Sequence, residues 1–562
     1  MKELLRRLRQ QPLLALQLFG ATVAINILGF ASPIFVMLIL GVYINSGFDN
    51  TLYTLSVGML LAMLLQAAVK ELRTMRAGMV SMEADRQLAD NIFEVLARAR
   101  SVAVERVSPA ARRQIPGHLE SIQTAYGPVG VNAVFDAPFA LLFIAATFYF
   151  SGTMAIIGMV GVILALASGY SNLRASRAKQ AQLMRVSGAS RVAAASAVDM
   201  ADTVRAFRAA GFLARVWDSH MAEVLFMRRA LSRLRLRSAD LTMTTLTFIR
   251  VMVYAVGAKE VVMGRFGVAE LIVANILVGR AMRQVAGFAA ASTRMMNAGQ
   301  ALADLREILR LPIERDKGTA LRSYSGRLEM RDLAFAHPGS TGPLFESLGL
   351  RLEPGQVAVF HGPNGAGKTT MARLVAGLAD PLRGEVLADG INLRQMAPDW
   401  WRRQIVYVPQ EPDFLDGTLR ENLVLANPDL EPAALDKLVA ACGLERYLSS
   451  TEQGLETVVR GSGRTLPLGV RRRLALVRAL ATGGRLVIMD EPLEGLDEDG
   501  ARTVAGVLQE LLRAGRTLLV FSHDPNIIKG AHYLVDLGTK PIPAVTRPGT
   551  GSAPAAPAPE ST

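Results

Sequence analysis

Only Cys442 carries a thiol among the 562 residues of the chain. This excludes an intrachain disulfide framework and any metal site built from cysteines alone. A lone cysteine of this kind reads as a small buried apolar residue. Aromatic residues are also scarce, at 6% with three tryptophans, and acidic residues are in the minority, 49 Asp and Glu against 62 Lys and Arg. The net charge of +13 comes without the aromatic interleaving that stacks bases, which argues against a nucleic-acid partner.

What the chain does have is apolar length. Hydrophobic residues make up 51%, the mean hydropathy is +0.27, and the apolar residues cluster before residue 300. That is the balance of a membrane protein in contact with lipid, followed by a soluble unit. Six segments approach the 20 apolar residues that a span requires, near 13–40, 51–70, 130–150, 153–172, 241–263 and 267–291. The basic start and the apolar run after it resemble a signal peptide, but the run to Ile44 is too long and ends in no small-residue cleavage site, so it reads as a retained first span. Arg250, Lys259, Arg265, Arg280 and Arg283 interrupt the last two segments, and such charges belong in the bundle interior, a cavity or an interface rather than in lipid.

With the N-terminus in the cytosol, the stretches 71–125 and 173–240 lie inside together with most of the basic charge, as the positive-inside bias requires. Their Ala, Leu, Arg and Glu content predicts helices continuing out of the membrane, each with a short transverse helix toward a soluble domain. The membrane domain is expected over 1–310, an α/β domain over 325–540, and a disordered Pro/Ala-rich tail over 541–562.

In the second domain, Val357 to Thr370 reads as a strand, a Gly-rich loop and a helix start with the pattern GxxxxGK[ST]. Gly362, Gly365 and Gly367 let successive backbone N–H groups, those of Asn364 and Ala366 included, turn toward phosphate oxygens, with Pro363 shaping the same loop without an N–H of its own. Lys368 would reach the β and γ phosphates of ATP, Thr369 would offer a hydroxyl to Mg2+, and Thr370 begins the helix. The apolar run Arg485 to Met489 ends in Asp490 and Glu491, a metal-holding carboxylate and a general base for water if the segment serves the loop, or simply a buried strand with an acidic end. Gln410 and His523 each follow a β-like run, where a lone polar residue is more often a hydrogen-bonded structural residue than a catalytic one.

The order of phosphate loop, Gln410, Asp490-Glu491 and His523 resembles ABC ATPase domains. By that resemblance Gln410 contacts Mg2+ and senses the membrane domain, His523 reaches the γ-phosphate, and Glu494-Gly-Leu-Asp497 forms the D-loop, with Asp497 at the nucleotide interface. Phe414 to Asn422 is similar to the FxGTxxEN pattern of ABC exporters. The segments Ala31–Met37, Phe135–Phe143, Val204–Gly211 with Trp217, and Asn275–Ala281 resemble the type I protein-secretion transporters of the protease and lipase exporting branch. The resemblance implies a six-span half-transporter in the inner membrane, in contact with membrane lipid and dimeric, as a homodimer or with a different partner chain. It also implies two ATP molecules between the ATPase domains, and a periplasmic adaptor and outer-membrane channel that help export a protein or peptide.

Two departures stand out. Where the family signature LSGGQ belongs, this chain reads Leu466-Pro-Leu-Gly-Val470, keeping Leu466 and Gly469, so the serine hydroxyl and a glycine amide that grip the opposing nucleotide are missing. Pro467 in a first helical turn is compatible with the fold. Arg471 to Arg473 read either as added positive charge near the nucleotide or as a solvated helix face. The adenine-stacking aromatic is replaced by His337. These departures leave three readings open: an exporter, the impaired half of a heterodimeric exporter, or a membrane-anchored ATP sensor without transport.

Overall fold

The computed structural model describes residues 1–337, 340 and 342–548, and it divides into two compact units. The first comprises Met1–Ala99 and Ala103–Leu311, and the second Arg100–Val102 with the chain from Pro312 onward.

In the first unit, six helices among the described residues are long and apolar enough to cross a membrane: Pro12–Ser46, Asp49–Arg98, Ala111–Phe150, Gly152–Ser176, Ala210–Val262 and Val268–Leu309. At about 1.5 Å per residue, the 50-residue helix Asp49–Arg98 and the 53-residue helix Ala210–Val262 far exceed the hydrocarbon thickness of roughly 30 Å, so they continue beyond it. The short helices Ser101–Arg106 and Ala201–Ala206 fall in the stretches where transverse helices are expected. Ser151 starts the helix Gly152–Asp199, its Oγ accepting from the Met154 N–H (3.3 Å).

Several polar side chains of the bundle pair across helices. Arg73 Nη1 donates to Asp136 Oδ1 (2.6 Å), Ser151 Oγ to Glu260 Oε2 (2.7 Å), Arg250 Nε to Asn275 Oδ1 (3.2 Å) and Gln284 Nε2 to Asn26 Oδ1 (2.6 Å). Arg280 donates to the Gly29 carbonyl and stands over the Phe143 ring, 5.7 Å from its centroid. In hydrocarbon an unpaired group costs several kcal/mol, so these pairs fix how the helices face one another. Arg250, Lys259, Arg265 and Arg283 are exposed on this chain.

The second unit is built on a six-stranded sheet and a four-stranded antiparallel sheet. The strands are β1 (Leu328–Phe335), β2 (Phe345–Leu352), β3 (Val357–His361), β4 (Arg383–Ala388), β5 (Ile391–Asn392), β6 (Ile405–Val408), β7 (Gly417–Thr418), β8 (Val458–Val459), β9 (Leu486–Asp490), β10 (Thr517–Phe521), β11 (Tyr533–Asp536) and β12 (Ala544–Thr546). The larger sheet runs β12-β11-β3-β10-β9-β6, parallel except for β12, and the smaller runs β2-β1-β4-β5. β7 and β8 form a separate short ladder.

The central strands of the larger sheet are buried on both faces, which is why they read as unbroken apolar runs. Phe360, Ile488, Leu519 and Phe521 pack on one side with Met371 and Trp401, and Val359, Val487, Met489 and Val520 on the other with Leu474, Val477 and Val507. Each such side chain contributes about 1.5–3 kcal/mol by leaving water. Cys442 is fully buried in the second cluster, and burial pushes its thiol up to about 12, which makes it an inert apolar residue.

β12 corrects the expected tail. Val545 pairs with Val535 of β11 inside the stretch 541–562, because an edge strand of the sheet accepts three more residues there. Residues 549–562 lie outside the described residues.

Candidate nucleotide site

The loop between β3 and the helix Lys368–Val375 sits where a parallel strand hands over to a helix N-terminus, the geometry that collects N–H groups for an anion. Gly362, Gly365 and Gly367 have φ of +145°, +81° and +108°, a conformation that side chains with a Cβ rarely adopt. At Gly367 a Cβ would also stand 2.8 Å from Leu344 Cδ2. Pro363, Asn364 and Gly365 are exposed along the loop, whereas Ala366 is buried and its N–H donates to the Pro363 carbonyl (3.1 Å). Thr370 follows Thr369 in the first turn of the helix.

Lys368 is buried. Its Nζ donates to the Gly362 carbonyl (2.9 Å) and lies 3.1 Å from Glu491 Oε1. Thr369 Oγ1 donates to Asp490 Oδ2 (2.6 Å), joining the loop to the end of β9, two strands away across β10. The other oxygen of Asp490, Oδ1, is buried with no hydrogen-bond partner, and burial raises the carboxyl above its ordinary range. An orphaned carboxylate oxygen beside a threonine hydroxyl fits a hard, oxygen-seeking cation such as Mg2+, which takes one or two protein oxygens and completes its shell with phosphates and water.

Glu491 occupies the left-handed region at φ +48°, a strained conformation for a residue with a side chain, and its N–H donates to the Phe521 carbonyl (2.8 Å). The turn brings its carboxylate back over the loop. His523 follows β10, and its Nδ1 is 3.1 Å from Glu491 Oε1, with the imidazole 71% exposed toward the space in front. The parallel register of β9 with β10, pairing Asp490 with Phe521, is what brings His523 beside Glu491.

Other expected residues stand less directly at this centre. Gln410 lines a small pocket with Asp490 and Glu491, yet its Nε2 donates to Glu494 Oε2 (3.1 Å) rather than to the metal pair. Asp497 caps the helix Glu498–Arg513, its Oδ1 accepting from the Gly500 N–H (2.8 Å). His337 is exposed and stacks edge-on against Phe335, with centroids 5.2 Å apart.

The signature replacement falls at the start of the helix Leu468–Leu480. Pro467 is the residue before the helix rather than within its first turn, with no side-chain cap, and Gly469 is the second helical residue. Leu468 leans on the following loop: a Cβ at Gly495 would stand 3.0 Å from Leu468 Cδ2. The arginine run is not a solvated face, since Arg473 Nη1 donates to the Gly443 carbonyl (2.8 Å) and Arg472 is 11% exposed beside Glu494 (3.4 Å).

Lys540 escapes a sequence reading. Lys540 Nζ donates to the Leu344 carbonyl and to that of Ala366 in the phosphate loop (3.0 Å), although it lies 174 residues away, and no local pattern marks it.

Comparison with known proteins agrees with this geometry. Residues 345–494 match the family described as ABC transporter. The chain is 24% identical over 532 residues to the toxin RTX-I translocation ATP-binding protein of Actinobacillus pleuropneumoniae, covering 92% of this chain and 73% of that protein. It is 24% identical over 526 residues to a leukotoxin export ATP-binding protein of Aggregatibacter actinomycetemcomitans, with the same coverage of 92% and 73%. Its fold matches the structure of a bacterial Atm1-family ABC exporter with ATP bound, at a TM-score of 0.81 and 18% identity, over 95% of this chain and 94% of that one. Residues 345–494 therefore carry an ABC transporter ATPase domain, and the chain, with six helices long and apolar enough to cross a membrane among its described residues, has the fold of an ABC exporter.

Proposed function

We propose that this chain uses ATP hydrolysis to export a protein or peptide across the bacterial inner membrane as one half of a dimer in a type I secretion complex. The observation that carries the hydrolytic part is the junction of Lys368, Glu491 and His523 on one carboxylate oxygen, beside the Thr369–Asp490 pair. The protein or peptide cargo is supported by the printed functions of the relatives, toxin and leukotoxin export. A periplasmic adaptor and an outer-membrane channel belong to this reading, as does a homodimer.

In this reading Thr369 and Asp490 would hold Mg2+, which would offset negative charge on the nucleotide phosphates. Lys368 leaves Glu491 for the phosphates, Glu491 orients and polarises the attacking water, and His523 steadies Glu491 and reaches toward the γ-phosphate. Gln410 would offer its side-chain carbonyl oxygen to the metal, Asp497 acts at the margin of the site, and His337 lies on the adenine side. The test is secretion by the host cell after Lys368→Ala, which should abolish export of the cargo; unchanged secretion would sink the proposal.

The start of the helix Leu468–Leu480 supports a second reading, in which this chain pairs with a different half that carries a full signature. Pro467 offers no N–H and Leu468 is bulky where a phosphate must approach closely. ATP turnover by the purified chain alone at an ordinary exporter rate would exclude it.

A further inference from the structure

Glu494 ties together three segments that the hydrolytic scheme treats separately. Its Oε2 accepts from Gln410 Nε2 (3.1 Å), which follows β6, and from Arg472 Nη2 (3.4 Å), on the helix Leu468–Leu480. Glu494 itself lies in the loop between β9 and the helix Glu498–Arg513, three residues beyond Glu491. Arg472, Gln410, Asp490 and Glu491 line the same small pocket.

The Arg472 guanidinium is nearly enclosed. Its side chain is 11% exposed, its Nε and Nη1 are buried without hydrogen-bond partners, and Glu494 is its carboxylate partner. A buried cation with two unmet N–H groups holds firmly to the one carboxylate it has, because losing it would leave the charge uncompensated. Leu468 against Gly495 braces the same loop from the apolar side. Glu494 is thus anchored although half its side chain is exposed.

The consequence falls on Gln410. An amide presents NH2 on one side and a carbonyl oxygen on the other, and an ionised carboxylate can only accept. Here it is Gln410 Nε2 that stands 3.1 Å from Glu494 Oε2. The Gln410 NH2 must then face Glu494, and Oε1, the only Gln410 side-chain atom a hard cation would take, is turned away from Glu494.

We infer that Glu494, anchored by Arg472, is a positioning residue that sets the amide orientation of Gln410 and so presents its carbonyl oxygen for Mg2+ when nucleotide is bound. The inference rests on the assignment of Gln410 to the metal in the proposed function. Partners that orient a metal ligand matter to affinity nearly as much as the ligand, commonly by roughly 10- to 100-fold.

The experiment is Mg2+ titration of fluorescent ATP-analogue binding to the full-length chain in lipid nanodiscs, with no hydrolysis required. Glu494→Ala should raise half-saturating Mg2+ about tenfold while leaving Mg2+-free nucleotide binding unchanged. Because that variant strands the Arg472 cation, Glu494→Ala with Arg472→Gln is the control: it should recover the parent Tm and keep the Mg2+ defect. Glu494→Gln, whose carbonyl can still accept from Gln410, should restore part of the Mg2+ affinity. Gln410→Ala should show the same defect, and adding Glu494→Ala to it should make no further difference. The inference is overturned if the double variant melts like the parent and titrates with Mg2+ like the parent, or if the Gln410 and Glu494 effects add. Absence of nucleotide binding by the parent chain would instead remove the nucleotide assignment beneath it, an outcome visible before any variant is made.

Discussion

Lys368 Nζ lies 3.1 Å from Glu491 Oε1, so the lysine that awaits phosphate is held by the carboxylate that would activate water. Both side chains are buried, and each neutralises the other until a nucleotide arrives. In the proposed function, ATP would exchange one charge pair for another instead of burying a new charge. The released carboxylate retains His523, already 3.1 Å from the same oxygen.

Breaking this pair from one side is expected to destabilise the nucleotide-free protein. Lys368→Ala leaves Glu491 buried with only a histidine beside it, a loss of about 3 kcal/mol. Lys368→Ala with Glu491→Gln should recover most of that loss, because no charge is then stranded. Thermal melts of the detergent-solubilised chain compare the two; equal melting of single and double variants would contradict the pairing.

Asp490 predicts a pH signature of opposite sign to a salt-bridged acid. Burial raises its carboxyl above 3.8, so its contribution to stability is fully present below pH 3.8 and is lost as pH rises through the raised folded value. Asp490→Asn should therefore raise the Tm of the nucleotide-free protein at pH 7, with the gain shrinking as pH falls toward the acid range. The same variant should weaken Mg2+-dependent nucleotide binding, since Oδ1 is the oxygen left without a partner.

The signature replacement predicts a slow enzyme that two substitutions would quicken. Pro467→Ser with Leu468→Gly restores a hydroxyl and a close-approach amide at the helix start. Each regained hydrogen bond to a charged phosphate contributes about 1.5–3 kcal/mol, or roughly ten- to a hundredfold in the step it serves. ATP turnover of the purified chain in lipid reads this directly. No increase would show that these positions do not limit the reaction.

In the membrane unit, Gly161 allows the helix Gly152–Asp199 to approach its neighbours closely. A Cβ there would stand 2.9 Å from Ile249 Cγ1 and 3.1 Å from Met282 Sδ. Gly161→Val should lower the Tm, equivalent to about 1–3 kcal/mol of overpacking. Gly287→Val on the helix Val268–Leu309, where a Cβ meets nothing within 4 Å, should melt like the parent.

Local chemistry explains which parts of the fold were readable. The phosphate loop was legible because three positive-φ glycines, a lysine and a threonine act through the backbone of a few consecutive residues. β6, β9 and β10 were legible because buried parallel strands are apolar throughout and their neighbours are not. The capping by Asp497, the packing of Leu468 and the burial of Arg472 were not, since each depends on what a distant segment places opposite it.

The sequence by itself determined that six helices can span a membrane and that one loop carries the phosphate-loop pattern, because hydrophobic length and backbone conformation are properties of short contiguous stretches. Only the tertiary structure decided that Thr369 meets Asp490 across 121 residues, that His523 meets Glu491 across 32, and that Gln410 faces Glu494 across 84. Those meetings are set by strand order, with β10 between β3 and β9 and β9 beside β6. Strand order is fixed by how whole strands and helices bury their apolar faces together, a cooperative outcome that no single motif encodes.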